Sequence, residues 1–357
     1  MAARAIVDPG RAGPRIVVFG AGAIGCFVGG AWKAAGLDVA FVGRERIGRE
    51  IAEYGLTLTD QHGWTVRFPA AEVDFQAKPN PLLRRADIVL LAVKTFATEA
   101  AAGEIARHAR PGTRILTFQN GVSSAERLRK LLPRHHVLQG MVPYNVVQTG
   151  PGRWHRATFG ELVAEESETT RLLAGRIGDA PGKLILCDDM TGIAWGKLLY
   201  NLNNAVNALS RETILAELRQ RDYRRILAAA IVEALEMLDA AGIDPAKIGL
   251  VPPRLLPHIV GAPDFLFRTL FLRLQKIDPK ARGSMSADYE AGRPTEVDDL
   301  NGAVVTLAAR LGRSAPVNKT IVDLVKQAEA GVERRWTARE LREYVLRRHK
   351  GPRGFGY

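Results

Sequence analysis

The chain has 357 residues, 46% of them hydrophobic and 25% charged, which is enough for two domains with their own cores. Two cysteines, Cys26 and Cys187, cannot make a disulfide framework, and no apolar run approaches the roughly 20 residues that span a bilayer. The net charge of +12 is spread along the sequence and densest in Glu333–Arg353, with no helix-turn-helix, RNP-like or zinc-finger pattern beside it, which argues against nucleic acid as the partner. Such a positive field also suits an anionic cofactor and a carboxylate substrate. Met1–Pro14 contains Asp8, Pro9 and Gly10 and lacks an apolar centre, so it reads as a loose extension and not as a signal peptide. A cytoplasmic protein is the expectation.

In chain order, a strand over Arg15–Phe19 runs into Gly20-Ala21-Gly22-Ala23-Ile24-Gly25 and a helix over Ala23–Ala35. This glycine spacing, between a strand and a helix, fits a dinucleotide pyrophosphate set against a helix start. Cys26, on the first turn of that helix, reads as a small packing residue, although a helix start can also activate a thiol. The second strand, Asp38–Val42, ends in Gly43-Arg44, where an acidic residue would bond a ribose 2′-hydroxyl. Arg44, with Arg46 close by, instead offers cationic forks to a 2′-phosphate, so the spacing predicts NADPH. A helix over Ile47–Tyr54 and a hairpin of Leu56–Thr59 with Thr65–Phe68 follow.

Ala86–Lys94 and Thr113–Phe118 read as buried strands from their continuous apolar runs. Strand ends in such sheets face the ligand crevice, which nominates Lys94 and Asn120. Lys94 can reach a phosphate, a ribose or a substrate carboxylate, although an exposed strand-end lysine looks the same, and Asn120-Gly121 is also a common turn pair. Helices over Thr98–His108 and Ser123–Leu132, then strands over His136–Met141 and Trp154–Leu162, complete an α/β, Rossmann-type doubly wound sheet over 15–189. Beyond a border near Asp188–Thr191 strand patterns vanish. Helices are predicted over Ile193–Ala208, Thr213–Ala241, around Phe265–Leu274, over Val297–Leu311 and over Asn318–Ala330, with a proline-rich loop at Val251–Pro263. The second domain, 190–332, is therefore all-helical, with a basic tail over 333–357. A small-molecule site belongs in the cleft between two such domains.

The first helix of the second domain carries Trp195-Gly-Lys197-Leu-Leu-Tyr-Asn201-Leu-Asn-Asn204. Lys197 and Asn201 share a face, among apolar neighbours that make a buried lysine costly unless it has a task. Asn201, Asn203, Asn204 and Asn207 are all poor helix formers, and local rules broken together point to a site. Ser284 follows in Gly283-Ser-Met285, and Glu296 in Arg293-Pro-Thr-Glu-Val-Asp298, read as the first turn of a helix, where a glutamate is favoured anyway. There is no His/Cys cluster to hold a metal.

Taken together these pieces resemble the ketopantoate reductase (2-dehydropantoate 2-reductase) family over about residues 15–330: the glycine loop, Val93-Lys94, Gln119-Asn120-Gly121, Trp195-Gly-Lys197-Leu with Asn201, Ser284-Met285 and Arg293-Pro-Thr-Glu296-Val-Asp. The resemblance implies NADPH-dependent reduction of a 2-keto acid, ketopantoate, to pantoate, in pantothenate and coenzyme A synthesis. It implies that Lys197 is the catalytic lysine that protonates the carbonyl oxygen, and that Glu296 helps hold the substrate and neighbours the nicotinamide. Asn201 and Ser284 match substrate positions. Lys94 and Asn120 match positions lining cofactor and substrate, and Arg44 matches the one that reads the 2′-phosphate. The family often has a second asparagine eight residues after the lysine. Ala205 stands there, and Asn204 or Asn207 is the candidate substitute. This departure, with a longer 250–282 stretch, leaves open a same-fold reductase of another 2-keto acid or ketone. A non-catalytic NADP(H)-sensing protein is the rival of another class. A homodimer built on the apolar helices is a further possibility, although burial within one subunit explains those helices as well.

Overall fold

Ile16, Val17 and Val18 are all fully buried, so the first strand is covered on both faces, as in a sheet with helices on each side. The computed structural model describes residues 13–271, 281–332 and 334–347, and its chain divides into two compact units, Met1–Met190 and Thr191–Tyr357.

The first unit contains β1 (Arg15–Phe19), β2 (Asp38–Val42), β3 (Leu56–Asp60), β4 (Thr65–Phe68), β5 (Asp74–Gln76), β6 (Ile88–Leu91), β7 (Arg114–Thr117), β8 (His136–Met141), β9 (Val146–Gly150), β10 (Arg153–Arg156), β11 (Leu162–Glu165) and β12 (Leu184–Cys187). Its helices are α1 (Ala23–Ala34), α2 (Glu45–Tyr54), α3 (Asn80–Leu83), α4 (Thr98–His108), α5 (Ser124–Leu131) and α6 (Glu168–Ile177). Eight strands form one sheet in the order β12-β11-β8-β7-β6-β1-β2-β5. Its pairs are parallel except β8 with β11. The period of two divides each strand between two cores. Ile16, Val18, Phe41, Ile88 and Leu90 join α1 on one face, while Val17, Val42, Val89 and Leu91 join Ile105 of α4 and Leu128 of α5 on the other.

The expected hairpin of Leu56–Thr59 with Thr65–Phe68 is present as β3 and β4, and it is extended by β10 and β9 into a second sheet, β4-β3-β10-β9, that local sequence patterns do not show. It lies on the opposite side of α1 from the main sheet, and the glycines of α1 make this possible. A Cβ on Gly29 would stand 2.5 Å from Val18 Cγ2, and one on Gly30 would stand 2.5 Å from Leu58 Cδ1 of β3. Cys26 is fully buried in this layer, and burial pushes its thiol pKa up, so it is a packing residue and not an activated thiol. The strand expected over Trp154–Leu162 is two strands on different sheets, β10 and β11, with Gly160 between them at φ +120°.

Among its described residues the second unit has no strand. Its helices are α7 (Met190–Asn201), α8 (Asn203–Ser210), α9 (Ile214–Leu218), α10 (Arg221–Ala241), α11 (Leu256–Val260), the one-turn α12 (Asp264–Leu266), α13 (Ser284–Glu290), α14 (Asn301–Arg310), α15 (Pro316–Glu329) and α16 (Ala338–Arg347). The helix expected over Ile193–Ala208 is interrupted at Leu202, within its asparagine-rich stretch. The one expected over Thr213–Ala241 breaks before α10, where Gln220 is extended at φ −102°, ψ 112°. The proline-rich segment holds α11 behind the short turn Pro253–Leu255, with prolines in the first turn, where a missing N–H costs nothing. The helix around Phe265–Leu274 is reduced to α12 and a wide turn over Phe267–Phe271, and 272–280 lie outside the described residues. Helix α14 starts at Asn301, so Glu296 lies in the turns before it and not in its first turn.

Part of the basic C-terminal segment is structural. Leu341 and Val345, four apart on α16, are fully buried, the Tyr223 hydroxyl of α10 donates to the Trp336 carbonyl at 3.3 Å, and Arg342 pairs with Asp222. Among the described residues no helix is long and apolar enough to cross a membrane.

Candidate active site

In the first unit, Gly20 turns the chain at φ +108°, and a Cβ there would stand 2.6 Å from the Val93 nitrogen. Gly25 packs α1 onto the loop: a Cβ would stand 2.2 Å from the Gly20 carbonyl oxygen. Gly22, the residue before α1, has nothing within 4 Å of its Cβ position. The three glycines thus do three different jobs: a left-handed turn, open access to the backbone, and close helix packing. That is the division of labour a pyrophosphate at a helix start requires. Ala21 donates to the Val42 carbonyl at 2.9 Å, and its own Cβ fills the space beside Gly43. Ala23 and Ile24 open α1 and supply first-turn N–H groups with no partner inside the helix.

β1, β2, β6 and β7 are neighbouring parallel strands, so the residues following them emerge at one edge. That edge gathers Gly20–Gly25, Arg44, Lys94 and Asn120. Arg44 is exposed at the start of α2, and Arg46 is paired with Glu50 one turn on. Lys94 is half-buried and begins the turn Thr95–Ala97. Gln119, the first residue of the Gln119-Asn120-Gly121 motif, ties the two strand ends together. Its Nε2 donates to Thr98 Oγ1 at 2.8 Å and to the Val93 carbonyl at 3.2 Å. The Ser124 hydroxyl then holds the Asn120 carbonyl at 2.7 Å. A buried glutamine between two loops was detectable only as a polar residue interrupting an apolar strand end.

In the second unit, Lys197 is half-buried on α7 between Trp195 and the buried Leu198 and Leu199. Gly196 seats this helix: a Cβ there would stand 2.1 Å from the Ala246 carbonyl oxygen. Burial lowers the Lys197 pKa from 10.5 to about 8, while the Glu296 carboxylate, close by, opposes the shift. Glu296 is itself buried, in a turn whose carbonyl at that residue accepts from Asp299 and Leu300 N–H, both at 3.1 Å. Glu329, another residue not singled out from the sequence, steadies the turn by accepting the Thr295 N–H at 2.7 Å. Asn201 ends α7 one turn beyond Lys197, half-buried on the same face. Ser284 is exposed as the first residue of α13. Asn204 is half-buried on α8, and its side chain makes no hydrogen bond to the described residues. No group of three or more His, Cys, Asp or Glu among the described residues is placed to hold a metal ion.

The model for ketopantoate reductase PanE/ApbA matches residues 16–168, and the model for its C-terminal domain matches residues 189–329. The chain belongs to the ketopantoate reductase family. It is 27% identical to a 2-dehydropantoate 2-reductase of Halobacterium salinarum over 325 residues, covering 88% of this chain and 99% of that protein. A Mycobacterium tuberculosis protein of the same name is 28% identical over 326 residues, covering 88% and 98%. The crystal structure of a PanE/ApbA family ketopantoate reductase from Ralstonia eutropha JMP134 superposes with TM-score 0.75 at 26% identity, covering 89% of this chain and 99% of that one. A D-mandelate dehydrogenase solved with NADH and anilino(oxo)acetate shares the fold, with TM-score 0.72 at 18% identity over 89% of this chain and 99% of that one. The family is one of NAD(P)-dependent oxidoreductases acting on CH–OH groups.

In this member of the ketopantoate reductase family, Asn207 is committed to the fold. It is 1% exposed, donates to Glu217 Oε2 at 2.8 Å and to the Glu212 carbonyl at 3.2 Å, and accepts the Gly283 N–H at 3.0 Å. It therefore fixes the residue before Ser284 and is not available to replace the asparagine missing at Ala205. Glu217, fully buried, also accepts from Asn203 Nδ2 at 3.3 Å. Burial raises its pKa from 4.5 to about 8, against the pull of both asparagines. The folded state therefore holds a proton that the unfolded state releases, and stability falls as pH rises from about 4.5 to about 8, by at most about 1.4 kcal/mol per pH unit. Glu217→Gln, a mimic of the neutral acid, is expected to melt near wild type at pH 5 and progressively above it toward pH 8. Parallel melting curves would exclude the buried proton.

Proposed function

We propose that this chain is an NADPH-dependent 2-keto acid reductase of the cytoplasm, converting 2-dehydropantoate to pantoate. The observation that carries the reading is Lys197: a half-buried ammonium whose pKa is drawn to about 8, beside the buried Glu296. A proton donor with a pKa near the working pH is what reduction of a ketone needs.

The open approach at Gly22 and the first-turn N–H groups of α1 fit the pyrophosphate, and Arg44 fits the 2′-phosphate. Lys94 and Asn120, at the same sheet edge, would line the cofactor and the substrate. When bound, the cofactor supplies the hydride that the carbonyl carbon accepts. Lys197 Nζ donates a proton to the carbonyl oxygen as negative charge develops there, leaving an alcohol and a neutral amine that solvent reprotonates. Glu296 keeps the ammonium charged and positioned. Asn201 would share the substrate's polar groups with Lys197, and Ser284 would meet its carboxylate end. Asn204, half-buried on α8, would supply a further amide to the substrate.

Alanine at 205, where the family often has an asparagine, favours one variation on this reading: a 2-keto acid with a less polar tail than ketopantoate. NADPH oxidation measured side by side with ketopantoate and with 2-keto acids bearing apolar tails decides between them by kcat/KM. NADPH binding without oxidation by any of these ketones would overturn the enzymatic reading in favour of a sensing role.

A further inference from the structure

The second unit holds a cavity of about 130 Å³ that no part of the proposed reaction uses. Leu209 and Leu324 supply apolar lining, with the aromatic side chains of Tyr289, Trp336 and Tyr344 beside them. A cavity of about 150 Å³ holds one benzene ring, so this one takes a single-ring body. Two arginines, Arg211 and Arg334, line it, and no lining residue is acidic. The Arg334 guanidinium stands 3.6 Å above the Trp336 ring, and Arg211 lies over Tyr289 while donating to its hydroxyl at 3.0 Å. A guanidinium over a ring face keeps in-plane N–H donors free for a carboxylate. At the rim, Arg334 also feels the charge of Glu340, whose carboxylate is held by the Thr337 N–H and hydroxyl at 2.9 and 2.8 Å.

Two further observations mark the cavity as built for use. Arg211, which ends α8, has φ +57°, the one positive φ at a non-glycine residue among those described. Glycine is the usual choice at such a helix end, and the left-handed backbone here sets the Arg211 side chain against Tyr289 at the cavity wall. Arg334, Trp336 and Tyr344 also lie beyond residue 329, where the match to the family's C-terminal model stops. The C-terminal segment thus completes a cavity whose other walls, among them Leu209, Arg211, Tyr289 and Leu324, lie within the matched residues.

We propose that this cavity is a second binding site, for a small carboxylate on an aromatic or compact apolar ring. The ring would fill the space between the leucines and Trp336, and the carboxylate would face Arg211 and Arg334.

Calorimetric titration of the full chain with benzoate, and with benzyl alcohol as the neutral counterpart, tests this. Arg211→Gly suits the backbone at φ +57° and removes the whole side chain, guanidinium included, and Arg334→Gln replaces the guanidinium of an exposed side chain; a wild-type melting temperature for each variant checks that the fold is retained. Benzoate is expected to bind at one site in wild type and equally in Lys197→Ala. Each arginine variant should weaken it at least tenfold, and benzyl alcohol should bind at least tenfold more weakly than benzoate. Wild-type affinity in both arginine variants, or no saturation at millimolar benzoate, overturns the proposal. Benzoate binding lost in Lys197→Ala overturns it too, by assigning the carboxylate to the proposed active site, whose own failure would appear instead as absent keto acid reduction.

Discussion

Lys197→Ala is expected to lower kcat for keto acid reduction by about 10²- to 10⁴-fold, the range a positioned proton donor contributes, while leaving NADPH affinity within a few-fold of wild type. The fold should not suffer. The Lys197 pKa is about 8 in the folded state and 10.5 in its absence, so the folded chain carries a penalty for the charged lysine at every pH below about 8, relieved as pH rises from 8 to 10.5. Removing the amine removes that penalty, and a melting temperature at pH 6 equal to or above wild type is the expected companion result. A large loss of both turnover and stability would instead make Lys197 a packing residue. The same pKa sets the rate profile. Reduction needs the ammonium and should decline as pH passes about 8, whereas oxidation of the corresponding 2-hydroxy acid needs the neutral amine and should rise through the same region. Glu296→Gln removes the charge that holds the Lys197 pKa up, so the reduction limb should move to lower pH. An unmoved limb would separate Glu296 from Lys197.

The parts of this molecule that the sequence revealed are those whose physics is local. Buried parallel strands need continuous apolar runs, so β1, β6 and β7 are visible, and the glycine loop can be placed because its spacing sits between a strand and a helix: Gly20 and Gly25 answer close contacts and Gly22 leaves the backbone open. The β3–β4 hairpin of the second sheet is a local signal, but its extension is long-range: β10 pairs with β3 across about a hundred residues, and the largely exposed β9 has no apolar period to betray it. Pro294 and Thr295 resemble a helix start, yet the helix begins only at Asn301, after a turn in which the Thr295 N–H donates to Glu329. The roles of Gln119, Glu217 and Glu329 are not legible in the sequence, for a shared reason. Each is a polar residue whose role is to hold another loop in place, and that role depends on partners that the sequence separates widely. Asn207 shows the converse. Its composition suggested a substrate contact, but its three hydrogen bonds are spent on Glu217, Glu212 and Gly283.

Arg44→Asp is expected to reduce kcat/KM for NADPH about 10²- to 10³-fold with little change for NADH, acting through KM. Two effects add. A charge-assisted hydrogen bond to the 2′-phosphate, worth about 1.5–3 kcal/mol, is lost. A carboxylate then faces a dianionic phosphate, a repulsion of up to about 4 kcal/mol for unit charges 4 Å apart near a protein surface and less where solvent screens it, as it does at the exposed Arg44. The new aspartate can accept from the ribose hydroxyls of NADH, so the preference should tip toward NADH. Arg46 supplies the internal control. It stands two residues away but is paired with Glu50 on the same helix face, so Arg46→Ala should change the NADPH preference only a few-fold. If Arg46→Ala had the larger effect, the 2′-phosphate would have to be read by a side chain that first leaves Glu50. If neither variant changed the ratio of the two cofactors, the specificity would lie elsewhere in the first unit, with Lys94 the next cation at that sheet edge to replace.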